Sequence, residues 1–330
     1  MPKSFENSIL FDWLTFSTKI YDFHNIITKL GLDGISDWTD CAGKNFYRIG
    51  KRFDGISIYW DNLNDPDSLM VNFSGQGCRD FESYSLNPDF HLIFDMFLDG
   101  EINITRLDVA YDDFNHILDI DRFWGSYNKG YFVSKFGSAS LTHELLNVRP
   151  IPVDKGKSLG FGSMKSNVYF RCYDKKLERN REDLQYWVRW ECQLRNEAAR
   201  GFVNSYMTEF NRNVGSCFYS VVNDYIRFCK PSNDSNISRW KPASWWSNFI
   251  SEARSISLYS SKKVDYNLSH IENYVQKQAG NSLEVLFETI GVDGVLNLVY
   301  SRDSDLSPKQ KDVISAYNDY IKSLPEGIPF

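Results

Sequence analysis

Residues 167–180 read NVYFRCYDKKLERN, an alternating segment that ends in charge. As a strand, its period of two puts Tyr169, Arg171, Tyr173 and Lys175 on one face and Val168, Phe170 and Cys172 on the other. RLDVAYD (106–112) repeats the arrangement, with Arg106, Asp108, Ala110 and Asp112 opposite Leu107, Val109 and Tyr111. WVRWECQLR (187–195) sets Arg189, Glu191, Gln193 and Arg195 against Val188, Trp190, Cys192 and Leu194. A solvated sheet face with ion pairs worth under ~1 kcal/mol each would account for any one of these strands. All three together ask for more, because threonine, serine and lysine keep a face wet equally well. The chemistry that fits is metal-assisted phosphoryl transfer to a tyrosine.

Each residue type has a part in that chemistry. Asp108, Asp112 and Glu191, with no histidine or thiolate beside them, suit a hard divalent ion such as Mg²⁺ or Mn²⁺. Such an ion polarises a phosphate oxygen and eases departure of the leaving group. A neutral phenol with a pKa of ~10 is a poor nucleophile. Arg171 and Lys175 flank Tyr173 on its face and are expected to favour the phenolate. Tyr169 shares that face, so it is either the competing nucleophile or a stacking or packing residue. Arg79, Arg106, Lys165, Arg189 and Arg195, with Tyr169, are the candidate contacts to a phosphodiester-bearing partner, since arginine clamps a phosphodiester and neutralises transition-state charge. In NFSGQGCRDFE (72–82) a strand ends at two glycines and passes through Arg79 into a helix. That is a plain turn or a phosphate cradle, and its spacing matches neither the Rossmann nor the Walker pattern.

Those strands need a scaffold. Of the 330 residues 42% are hydrophobic and 16% aromatic, so the chain is globular and can bury a sizeable core. FDWLTFST (11–18) reads as a strand and YDFHNIITKLG (21–31) as a helix closed by Gly31; short strands come next, then a helix from Pro88 to Gly100. The same order recurs from NITRLDVAYDDF (103–114) and the helix at 119–130 onward. The expected fold is α+β: a central antiparallel sheet from two β-α-β-β-like units, helices on one face, and a helical C-terminal region. The expected domains are a catalytic domain over 1–231, in halves of about 1–100 and 101–231, and a mainly helical region over 232–330. There SHIENYVQKQ, SLEVLFETIG and SPKQKDVISAYNDYIKSL carry helical periodicity, with Ser307 and Pro308 as a helix start. Trp240, Trp245 and Trp246 read as packing residues, and Lys262 and Lys263 as solvated surface.

Charge narrows the partner. The chain's formal charge is −6, yet residues 155–263 hold 19 Lys/Arg against 10 Asp/Glu, leaving 18 against 33 elsewhere. That asymmetry is the footprint of a phosphate-bearing partner hidden by the total. The six cysteines (Cys41, Cys78, Cys172, Cys192, Cys217 and Cys229) form no C-x-x-C pair, and the five histidines form no close pair, so zinc and redox motifs are not indicated. With no secretory signal and no long apolar run, a cytoplasmic protein without membrane insertion is expected.

In order along the chain, SGQGCR, TRLDVAYDD, GFGSMKSNVYFRCYDKKLE and WVRWECQLRNEAA resemble the replication initiation factor family of Gram-positive plasmids and integrative elements. RWKPASWWSNF and the helical tail after it are more similar to the relaxases of integrative conjugative elements. The resemblance implies a DNA strand transferase that nicks one strand at an origin and stays joined to the 5′ phosphate through a tyrosine. It leaves a 3′ hydroxyl for rolling-circle synthesis and later rejoins the ends. It implies a divalent metal, origin DNA with a single-stranded nick site and flanking duplex or hairpin, and a host helicase, and it allows a homodimer. The family's R-x-Y-[DE]-K segment maps to Tyr173. The related nucleases carry a histidine-hydrophobic-histidine pair that this chain lacks, so the metal assignment rests on the strand faces. A metal-dependent hydrolytic nuclease without a covalent intermediate, and a non-catalytic origin-binding protein, are the alternatives. The proposed site exists only if the strands at 106–112, 168–176 and 187–195 are neighbours.

Overall fold

A computed structural model describes residues 6–255, 275, 280–301, 311, 314, 315 and 318. Compactness divides the chain into one unit of residues 1–33 and 38–262 and another of 34–37 and 263–330. In the first, strand β1 (Ser8–Thr18) and helix α1 (Phe23–Lys29) lead into β2 (Thr39–Ala42), β3 (Tyr47–Phe53), β4 (Ile56–Asn62) and β5 (Leu69–Phe73). Helices α2 (Gly75–Tyr84) and α3 (Phe90–Leu98) close that half. The second half runs β6 (Asn103–Asp113), α4 (Ile120–Asn128), β7 (Phe132–Ser134), β8 (Ala139–Leu146), β9 (Val153–Phe161) and β10 (Val168–Asp174). Then come α5 (Lys175–Glu178), β11 (Val188–Arg195), α6 (Glu197–Thr208), α7 (Val214–Tyr225), β12 (Ile226–Phe228) and α8 (Ser244–Ser255).

The main sheet is 10-stranded, in the order β2-β3-β4-β5-β1-β6-β11-β10-β9-β8, with every pairing antiparallel. From the central β1–β6 pair the order unwinds identically on both sides. In each half the helix after the first strand carries the chain to the sheet edge, and a meander of neighbouring antiparallel strands brings it back. The repeated order expected from sequence is therefore a topological repeat. The three polar-faced strands are adjacent, as β6-β11-β10.

The apolar faces meet helices on one side. Phe11 of β1 packs edge-on to Phe94 of α3 and Tyr206 of α6 at 5.1 and 5.8 Å. Tyr111 of β6 meets Phe249 of α8 at 5.2 Å, and Trp190 of β11 meets Trp246 at 5.7 Å. Such edge-to-face pairs add about 0.5–1.5 kcal/mol beyond their buried area. Trp245 and Trp246 thus pack the sheet's helix layer, as expected, and α8 belongs to the first compact unit. Gly31 and Gly100 take left-handed backbone after α1 and α3, as their helix-ending roles require. Gly280–Tyr300 is helical, broken at Gly291 by a φ of 69°. The readings at 262–263 and 269–274, and Ser307–Pro308, lie outside the described residues. Among the described residues no helix is long and apolar enough to cross a membrane.

One local expectation needs correcting. β10 stops at Asp174, whose side chain accepts the Leu177 amide at 3.0 Å and so caps α5. Lys175 therefore reaches the polar face from the first turn of a helix rather than by strand alternation. Of the SGQG glycines, Gly77 serves packing: a Cβ on it would lie 2.2 Å from the Gly55 carbonyl oxygen. Gly77→Ala should cost about 1–3 kcal/mol of stability by overpacking, read as a lower urea midpoint. Gly125→Ala, inside α4 with open space around it, should not lower the midpoint.

A candidate active site on the polar face of the sheet

Register decides which polar side chains meet. Across β11–β10, Arg189 is opposite Tyr173, Glu191 opposite Arg171, and Gln193 opposite Tyr169. Across β11–β6, Arg189 is opposite Asp112, Glu191 opposite Ala110, Gln193 opposite Asp108, and Arg195 opposite Arg106. The three strand faces proposed from alternation are one surface.

Tyr173 lies at its centre, 4% exposed. Its hydroxyl donates to Glu191 Oε2 at 3.1 Å and accepts from Lys175 Nζ at 3.2 Å. The Arg171 guanidinium lies 3.9 Å from the ring centre and donates to the same Glu191 oxygen at 3.2 Å. Gln193 Nε2 holds the other oxygen, Oε1, at 2.7 Å, so Glu191 is fixed in place. Lys175 also pairs with Glu178. Burial raises the phenol far above its ordinary pKa; Glu191 adds to this, while Arg189 and Arg171 oppose it. Arg171 does favour the phenolate, as expected, but burial outweighs it, and the hydroxyl points its proton at a carboxylate. Burial also lowers Lys175 from the usual ammonium value, with Arg189 as the next cause.

Arg189 is a strut rather than a DNA contact. It is 4% exposed, and its Nε and Nη2 grip Asp112 at 2.7 Å each while Nη1 meets Asp12 at 2.6 Å. Trp187 Nε1 adds a bond to Asp112 Oδ1 at 2.7 Å. Alternation does not place Asp12, which sits at a β-bulge of β1, between Phe11 and Trp13, where period two fails. A lone acid in the run SILFDWLTFST was the available signal. Burial works against its charge, but Arg189, Lys175 and Arg79 together hold Asp12 below the usual carboxylate value.

The expected metal triad does not assemble. Asp108 and Asp112 stand four residues apart on one strand, about 13 Å at ~3.3 Å per residue, whereas Mg²⁺ holds its ligands at about 2.1 Å. Both oxygens of Asp112 are engaged by Arg189, and both of Asp108 by Arg106 at 2.9 and 2.6 Å. Among the described residues no three His, Cys, Asp or Glu side chains converge to hold an ion. The donors are chemically right for Mg²⁺ or Mn²⁺, but their placement is not.

The other candidates divide by exposure. Arg79, in the middle of α2, turns its Nη2 to the Phe11 carbonyl at 2.7 Å and to Glu82 at 3.1 Å. Tyr169 is buried, and its hydroxyl fills the space where Gly160 lacks a side chain, with 2.3 Å to a Cβ built there. Packing accounts for it, and it makes no bond to Glu191 like that of Tyr173. Arg106 and Arg195 face each other at the far end of the surface, with Lys165 exposed in the neighbouring turn.

The replication initiation factor family matches residues 102–297, and the rolling circle replication initiation protein N-terminal domain matches residues 8–98. The boundary between them falls where the two topological halves meet. A protein described as "Putative DNA relaxase NicK" from Bacillus subtilis (strain 168) is 26% identical over 328 residues, covering 93% of this chain and 88% of that one. The solved rolling circle replication initiator protein from Geobacillus stearothermophilus superposes with a TM-score of 0.70 at 25% identity, covering 77% of this chain and 98% of that one.

Asp112→Ala should destabilise the protein by about 3–5 kcal/mol in chemical denaturation, since it strips one partner from a buried guanidinium. Asp108 gives a pH test. Burial, outweighing the Arg106 bridge and helped by Glu191 and Asp12, pushes its carboxyl up to about 7 from 3.8. The folded state then holds a proton that the unfolded chain releases, so this contribution is fully present below pH 3.8 and lost as pH rises through about 7. Asp108→Asn should flatten the fall in unfolding free energy over that window; parallel wild-type and variant profiles would place the titration elsewhere.

Proposed function

The chain belongs to the replication initiation factor family of rolling-circle initiators and DNA relaxases, and from that premise we propose that Tyr173 is the nucleophile with which it nicks one strand of an origin. The observation that carries this is the hydrogen bond from the Tyr173 hydroxyl to Glu191 beneath the Arg171 guanidinium. A phenol poised on a fixed carboxylate can lose its proton as it attacks, without being ionised beforehand.

The step is a transesterification. The Tyr173 oxygen forms a bond to the scissile phosphorus while its proton passes to Glu191. The bond to the 3′ oxygen breaks, that oxygen takes up a proton as a free 3′ hydroxyl, and the 5′ phosphate stays on Tyr173. Because one phosphodiester replaces another, the reverse reaction rejoins ends. Arg171, partly exposed above the ring, is the cation an incoming phosphate meets first, and Lys175 donates to the attacking oxygen's own site. Glu191 thereby takes the role of proton acceptor in place of metal ligand. The family generally works with a divalent metal, and Mg²⁺ or Mn²⁺ when bound would neutralise further phosphate charge. Recruitment of a host helicase, origin DNA carrying a single-stranded nick site, a homodimer and a cytoplasmic location come from the resemblance as parts of the same proposal.

A labelled origin oligonucleotide run on a denaturing gel, with and without Mg²⁺, separates this reading from its rivals. Wild type should give a covalent protein–DNA adduct. Tyr173→Phe should lose it while still binding DNA, and Tyr169→Phe should keep it. Free 5′-phosphate product without an adduct would indicate a hydrolytic nuclease, and binding without cleavage a non-catalytic protein. Glu191→Gln should slow adduct formation by about 10²–10⁴-fold, the range of a general base.

A further inference from the structure

The polar face continues well beyond Tyr173. Six residues along β11 from Arg189, about 20 Å at strand spacing, Arg195 stands directly opposite Arg106 of β6. Like charges in that relation are destabilising. Asp108 answers only one of them: it holds Arg106 through two bonds, whereas Arg195 finds the Ser166 carbonyl and the Gln193 side-chain oxygen, each at 3.3 Å. Among the described residues no carboxylate lies within ion-pair distance of Arg195. The Arg106 guanidinium also lies 3.9 Å from the centre of the Trp13 ring, and Lys44, exposed in the β2–β3 turn, reaches within 5.8 Å of that ring. Lys165 is exposed in the β9–β10 turn beside Ser166, the residue whose carbonyl Arg195 touches. Three cations and an indole ring thus gather at one end of the surface, with Lys165 in the adjoining turn, and among the described residues Asp108 is the one carboxylate paired with any of them.

We propose that Trp13, Lys44, Arg106, Lys165 and Arg195 form a second subsite, which holds a backbone phosphate of the bound single strand several nucleotides from the one attacked. The occupant is single-stranded DNA because the cations need an anion and the flat guanidinium–indole pair offers a sequence-tolerant surface for an unstacked base. At a stacked spacing of about 3.4 Å per nucleotide the 20 Å gap spans about six nucleotides, and fewer if the strand is extended. The subsite rests on the reading that the scissile phosphate lies at Tyr173, and it anchors the strand so that this phosphate is held in register.

The test uses the full chain carrying Tyr173→Phe, so that nothing is cut, and single-stranded origin oligonucleotides in which one linkage at a time is a neutral methylphosphonate. One linkage displaced by several nucleotides from the nick should weaken binding by about tenfold when neutralised. That penalty should vanish when Arg195→Gln is added and return with Arg195→Lys. The slope of log affinity against log salt should fall by about 0.7 in Arg195→Gln, the loss of one single-strand phosphate contact. If Arg195→Gln weakens every oligonucleotide equally, or if the coupling appears only on duplex DNA, the subsite as described does not exist. Retained cutting by the Tyr173→Phe chain would overturn the nucleophile, whereas loss of the Arg195 coupling would overturn the subsite, so the two failures are distinguishable.

Discussion

A buried guanidinium fixes this face. Arg189 carries its charge into the middle of the sheet and is tolerable there only because Asp112 and Asp12 meet it from two other strands. The bonds run from β11 to β6 and on to β1, so they pin the relative register of the three central strands. A slip of one residue would turn Asp112 toward the aromatic helix layer and leave Arg189 unpaired. The bulge at Asp12 belongs to the same constraint, since it re-aims one acid of an apolar strand onto the polar side. The pairing of β10 with β11 then sets Glu191 opposite Arg171 and beside Tyr173.

The polar residues therefore form two populations. Arg189, Asp112 and Asp12 are buried and spend their hydrogen bonds on one another, giving rigidity to the floor of the site. Arg171, Arg106, Arg195 and Lys165 keep some exposure and remain able to meet an anion. Between them lie Tyr173 and Glu191, buried enough that the phenol stays protonated and near enough that the proton has a defined destination. Low dielectric raises the barrier to a free phenolate and strengthens the hydrogen bond that makes one unnecessary.

The topological repeat does not extend to chemistry. In the second half the strands in positions four and five, β10 and β11, carry Tyr173 and Glu191 on the polar face. Their counterparts in the first half, β4 and β5, carry Tyr59 and Met70, opposite each other and buried in a small cluster with Tyr47. At these positions the first half is closed by apolar side chains where the second carries polar ones. The site is asymmetric on a scaffold whose strand order is not.

Much of this was legible in the chain itself. Alternation over 106–112, 168–173 and 188–195 assigned every side chain to its face, because β geometry admits only two, and the glycines after α1 and α3 marked where those helices end. Alternation could not place Asp12, since a bulge breaks the very period being read, nor Lys175, since Asp174 caps a helix where the strand pattern continues in the letters. It also could not say which arginines are buried. Arg189 and Arg195 are equivalent by sequence, yet one has two carboxylates across neighbouring strands and the other faces a second arginine. The strands, their faces and the residue types on offer can be read from the letters, because these arise from local periodicity. The pairing of charges, the separation of Asp108 from Asp112 along one strand, and the meeting of Tyr173 with Glu191 were decided only by tertiary structure, because each depends on which strand lies beside which and in what register.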